Sequence, residues 1–139
     1  MFLKGAPITA SRNDAQPHVT PEVRTAAVFM VGALAFYSTG VWSERLAARL
    51  KPWHVGLFWL GLVCDSAGTD RMRRMVGGLR LNFHGVTGAI ALLLMLAHAV
   101  WATAVVLRRD ERAILSFHRI SVVVWTIWLV PFFSGALFG

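Results

Sequence analysis

The 139-residue chain reads as an all-α integral membrane protein, an antiparallel four-helix bundle. Three observations lead there. Hydrophobic residues make up 56% of the chain and charged residues 15%, where a soluble domain carries about 25% charged. The charges are segregated, so that Leu81 to Leu107 holds no Lys, Arg, Asp or Glu, and an uncharged apolar run of about 18 residues or more reads as a transmembrane helix. Short polar linkers separate four such stretches, and short linkers make neighbouring helices run in opposite directions.

Residues 1–22 are polar, hold three prolines and show no hydrophobic period. They are expected to form a disordered tail. A signal peptide is not expected, because the apolar part after Lys4 is short and is interrupted by Pro7. His18 lies in this tail. The bundle is expected over residues 23–139. Its first span covers residues 24–42 and is followed by the basic linker "SERLAARLK". Pro52 opens the second span, residues 52–69, since proline is tolerated in a first helical turn. After the linker "DRMRRMVGGLR" the third span covers 82–107. The linker "RRDERAILSF" leads to the fourth, 118–138, with a kink expected at Pro131.

A net charge of +7 would suggest nucleic acid in a soluble protein. Here the basic residues flank apolar spans, the pattern of contact with a lipid bilayer, and no nucleic-acid partner is expected. The side bearing the first and third loops (side A) carries Arg45, Arg49, Lys51, Arg108, Arg109, Arg112 and Arg119. The opposite side carries Arg71, Arg73, Arg74 and Arg80, with Lys4, Arg12 and Arg24 in the tail. The count is seven on each side, so the positive-inside rule is nearly silent; setting aside tail residues far from a span favours side A in the cytoplasm. Trp42, Trp53 and Trp101 lie toward side A, as interfacial aromatics do. The lone Cys64 excludes an intramolecular disulfide.

The third span carries two histidines, His84 and His98, 14 residues apart. That spacing is about 21 Å of helix rise, with an angular offset of only about 40°, so both lie on one face. Ionisable groups inside a span face the bundle interior and mark functional sites by default. One helix offering two imidazoles at this spacing can serve two stacked hemes, but a full diheme bundle needs four ligands. Partners decide the matter. His54 and His118 open the second and fourth spans from side A, so side A offers His54, His98 and His118, enough for one bis-histidine heme. His98 is expected to lie about 10 Å deeper than the other two. The opposite side offers only His84, with Met72 or Met75 as unusual second ligands. Asp65 is expected at the depth of His84, and a hydrogen bond between them would satisfy both. The expected iron ligands are His98, His118 and His54. His84 is a further cofactor-binding candidate, and Asp65 supports the site from behind.

Each residue also has a plainer role. A histidine at a span end is commonly an interfacial polar group, which applies to His54, His118 and His84 more than to His98. Gly32, Gly40, Gly85 and Gly88 are expected to permit close helix packing. Met95 is expected to fill a gap in the core, and Tyr37 and the tryptophans to pack, with stacking on a porphyrin as the alternative.

Three stretches, "FYSTGVWSERLAARLKPWHVGLFWLGLVCDSAGT", "NFHGVTGAIALLLMLAHAVWA" and "FHRISVVVWTIWLVPFFSGALFG", closely resemble the HsmA family, small bacterial membrane proteins named for heme sensing. The resemblance covers about Ala27 to Gly139. It implies heme binding and protection against heme and oxidative stress, by sequestering heme or passing electrons. It also implies the bacterial inner (cytoplasmic) membrane, with several passes. His54, His84, His98 and His118 stand where the family carries its histidines, and the resemblance does not say which ligate iron. The expected cofactor is heme b, one per chain, with two as the alternative. The expected partners are the lipid bilayer, heme and a redox partner of unknown identity, with a homo-oligomer open.

Other function classes leave weaker marks. Small multidrug exporters depend on an acidic residue embedded in the first span, and Thr25 to Trp42 contains none. A structural subunit and a zinc or copper site at side A are the remaining alternatives. No nucleophile–base pair, phosphate loop or carboxylate pair indicates an enzyme, and a bis-histidine heme leaves no open iron position for peroxide.

Overall fold

The computed structural model describes residues 19–138, and the expected tail over 1–17, with His18, lies outside them. Four helices account for the regular structure of the described residues: α1 (Pro21–Ala47), α2 (Pro52–Met75), α3 (Phe83–Arg108) and α4 (Glu111–Phe138). Three of them, α1, α3 and α4, are long and apolar enough to cross a membrane. The second, which contains the span expected over 52–69, is not among them.

The helix ends follow capping chemistry rather than polarity. Thr20 accepts a hydrogen bond from the Val23 N–H at 3.4 Å, with Pro21 next to it, so Pro21 and Glu22 open α1 instead of ending the tail. Residues 43–47, read from sequence as linker, continue α1, which stops only where Ala48 turns left-handed (φ 51°). The Asn82 side chain caps α3 by accepting from the Gly85 N–H at 2.9 Å. Asp110 Oδ1 accepts from the Ala113 N–H at 3.3 Å, so α4 starts at Glu111, seven residues before the expected span. It runs on through Pro131.

α1 packs chiefly on α2 and α3 on α4, while α2 meets α3 and α1 meets α4. Along the first pair Met30 adjoins Gly68, Cys64 adjoins Gly32, Tyr37 adjoins Gly61 and Phe58 adjoins Gly40, so residue numbers fall on α2 as they rise on α1. A Cβ on Gly40 would lie 2.8 Å from Phe58 Cε1, so that glycine does permit close packing. Gly32 makes only ordinary contact with Cys64, Gly85 abuts its own helix start, and Gly88 faces open space. Two apolar clusters fill the interior. One holds Val41, Phe58, Ala99, Ile114 and Phe117. The other holds Ala33, Tyr37, Met95, Val124 and Trp128, with Met95 in the packing role expected of it. At the side-A end the Leu50 N–H donates to Ile114 O at 3.1 Å, and Arg49 forms an ion pair with Glu111 at 3.0 Å.

Candidate functional site

Polar side chains from three helices meet beside the first cluster. Glu44 on α1 and Ser121 on α4 are both 0% exposed, and His98 on α3 is 4% exposed. The Ser121 hydroxyl donates to Glu44 Oε2 at 2.6 Å and lies 3.4 Å from His98 Nε2. When Glu44 is ionised, the hydroxyl's one proton goes to the carboxylate and the hydroxyl accepts from the ring, which puts the proton of neutral His98 on Nε2 and a lone pair on Nδ1. Nδ1 is buried without a hydrogen-bond partner. Phe58 and Phe117 flank the ring, with centroids at 4.8 and 5.0 Å.

His54 lies in the first turn of α2 and is fully buried, so it is not the interfacial group its position suggested. The Lys51 backbone N–H donates to its Nδ1 at 3.0 Å, which puts the proton of the neutral ring on Nε2. That Nε2–H has no acceptor among the described residues. His118 is half-buried, and its Nδ1 is also buried and unpartnered. The expected depth mismatch of about 10 Å with His98 disappears, because α4 begins seven residues before His118. Phe117 and Ser121, on either side of His118 in the chain, both reach His98. The fourth unpartnered buried atom is Glu44 Oε1.

His84 and Asp65 do not pair. Asp65 is 3% exposed and its Oδ2 accepts from Trp128 Nε1–H at 2.8 Å and from the Tyr37 hydroxyl at 3.4 Å. Those donors come from α4 and α1, so the carboxylate faces the bundle axis. Tyr37 and Trp128 also meet edge to face, 5.0 Å between centroids. His84, in the exposed first turn of α3, contacts Ser134 near the end of α4 at 3.3 Å. Outside the apolar stretch, Arg73 and Arg74 hold the Asp70 carboxyl below its ordinary value through hydrogen bonds.

Sequence reasoning overlooked Glu44 and Ser121. A signal for Glu44 exists: Ala26, Ala33, Tyr37, Gly40 and Glu44 are buried at steps of seven, four, three and four, a helix seam that passes straight into the polar linker. Ser121 lies three residues after His118, on the same face. The helix α1, long and apolar enough to cross a membrane, therefore holds a buried acidic residue, two positions beyond the stretch 25–42 that contains none. Among the described residues no three His, Cys, Asp or Glu side chains come together in a way that could hold a metal ion, so the zinc or copper alternative finds no support. A groove of about 490 Å³ lined by Arg45, His118, Arg119 and Val122 runs beside this cluster. No protein-family model, curated protein or solved structure matches the chain.

Proposed function

We propose that the chain is an integral membrane protein, an antiparallel bundle of four helices, that binds heme b at the end holding Glu44, His98 and Ser121, and that it sequesters heme or passes electrons. The HsmA resemblance implies the ligand. One observation supports it above the others: three buried ring nitrogens, on His54, His98 and His118, and the Oε1 of Glu44 lack partners. Buried polar atoms are rarely left so, and a bound ligand would complete the imidazoles of His98 and His118.

Imidazole is a ligand of heme iron, and this reading takes two of the chain's imidazoles. His98 is the first ligand, with its N–H tied to Ser121 and the Glu44 carboxylate behind it. Backing of this kind fixes the tautomer, aims the free lone pair and raises its basicity. His118 is the second, through its unpartnered Nδ1. His54 is a donor rather than a ligand, because its buried nitrogen carries the proton. His84 takes no part, which favours one heme over two. Phe58 and Phe117 keep water from the His98 ring. A bound heme supplies a one-electron iron couple.

The test is an absorption titration of detergent-purified protein with hemin, quantified as the pyridine hemochrome. A Soret band at one heme per chain is expected, lost in His98→Ala and in His118→Ala and kept in His84→Ala. No Soret band, or one that survives the His98→Ala/His118→Ala double change, sinks the proposal.

A second reading, a small transporter-like protein, is favoured by the buried Glu44 in α1. Loss of substrate export in Glu44→Gln with heme content untouched would support it. Unimpaired export would remove it.

A further inference from the structure

The groove beside Glu44 lies between the end of α1 and the N-terminal half of α4. Arg45 and Arg119 line it and are both exposed. Neither meets a carboxylate among the described residues, where the ion pairs join Arg49 to Glu111 and Arg73 and Arg74 to Asp70. The acidic neighbour of Arg45 in the chain, Glu44, turns inward to Ser121 and leaves the guanidinium uncompensated. Arg45 is steadied from below: its guanidinium carbon lies 5.6 Å from the centroid of Trp42, which meets Trp125 edge to face at 5.8 Å. The groove thus presents two guanidinium forks, an imidazole whose Nδ1 is unpartnered, and an apolar wall at Val122.

Guanidinium forks match the oxygens of phosphate in shape and charge. Depth supplies the rest. Arg45 stands in the last turn of α1, and the exposed Trp42 lies one turn nearer the apolar stretch, the level at which tryptophan marks a membrane boundary. An anion reaching two arginines at that level arrives attached to a body in the bilayer. We propose that this groove binds the phosphate of an anionic lipid headgroup, one lipid per chain, with the carbons next to the phosphate against Val122. The proposal rests on the membrane reading above; because His118 lines the groove and is also the second heme ligand proposed above, lipid retention is measured on heme-free protein.

Native mass spectrometry of the detergent-purified full chain, titrated with phosphatidylglycerol or phosphatidylcholine, tests it. One retained phosphatidylglycerol is expected, and little phosphatidylcholine. The Arg45→Gln/Arg119→Gln pair weakens retention about thirtyfold, each cation near an anionic headgroup being worth roughly fivefold. The Arg73→Gln/Arg74→Gln pair removes the same charge elsewhere and retains the lipid. If the glutamine pair does not fold, the Arg45→Lys/Arg119→Lys pair carries the comparison; it keeps the charge, loses the forks and weakens retention by several-fold. Equal retention of both lipids overturns the proposal, as does equal weakening by the two glutamine pairs or undiminished retention by the folded variant pair. Displacement of the lipid by millimolar inorganic phosphate also overturns it, because the site would then recognise phosphate alone. Release of the protein from membranes by alkaline carbonate is the separate failure of the membrane reading, and absence of a Soret band the separate failure of the heme reading.

Discussion

Replacing Ser121 by alanine removes one oxygen atom from a fully buried position and disconnects three helices. The hydroxyl donates to Glu44 on α1 at 2.6 Å and faces His98 on α3 at 3.4 Å. A single lost atom opens little space, so hydrogen bonding and not packing sets the cost. Glu44 already has one unpartnered oxygen and His98 one unpartnered nitrogen, and the substitution leaves both side chains with none of these contacts. In soluble proteins each buried group so abandoned costs about 1–3 kcal/mol. Hydrogen bonds between membrane helices are worth less, about 0.6 kcal/mol on average and about 1.7 at most. Two such contacts give an expected loss of about 1–3 kcal/mol. Denaturant unfolding in micelles, followed by tryptophan fluorescence, measures it. A cycle with Glu44→Ala should show coupling above about 0.5 kcal/mol, since the two residues share a bond. Heme affinity, on the reading proposed above, falls about 10–100-fold, the usual effect of removing a ligand's supporting partner. Stability within about 0.3 kcal/mol of the parent, strictly additive with Glu44→Ala, would refute the idea that these side chains form one unit.

Gly61→Ala places a methyl group against the buried Tyr37 ring, whereas Gly56→Ala meets nothing within 4 Å. Helix propensity favours both changes by about 1 kcal/mol, but overpacking costs about 1–3, so thermal melts should show Gly56→Ala stabilised and Gly61→Ala not. Trp128→Phe removes the closer donor to the buried Asp65, while Trp125→Phe removes a donor to the Ser38 hydroxyl at 3.1 Å. The first should cost about 1–3 kcal/mol and exceed the second in the same unfolding assay, since a buried carboxylate left with one long contact loses more than a half-buried hydroxyl. Arg49→Gln breaks an ion pair whose partners are 45% and 60% exposed, so its cost should stay below about 1 kcal/mol and shrink further as salt is added.

The histidines show how far the residues alone could be read. The interior placement of His98 was legible, because an imidazole in the middle of an uncharged stretch turns inward, and it is buried beside a carboxylate-backed hydroxyl. The His84–Asp65 pair was misread. Depth along two helices matched, but depth says nothing of rotation about each axis, and rotation turns Asp65 toward Tyr37 and Trp128. The depth of His118 was misread for a different reason: polarity marks where a chain leaves an apolar medium, while a helix ends where its caps end it. The run "RRDERAILSF" is polar, yet Asp110 caps a helix that starts at Glu111.

Composition and charge segregation determined the class of the chain without any coordinates. Runs of uncharged residues give an all-α protein, because unpaired backbone cannot be left in hydrocarbon; four spans were expected, and three helices, without α2, are long and apolar enough for a bilayer. Tertiary structure alone decided the chemistry of the interior. Glu44, Ser121 and His98 lie on three helices, at positions 23 and 54 residues from one another along the chain order His98–Ser121 and Glu44–His98, and only packing brings them within hydrogen-bond distance. A hydrogen bond between helices depends on how each is rotated about its axis and how far it slides past its neighbour, and neither quantity is written in any local stretch of residues.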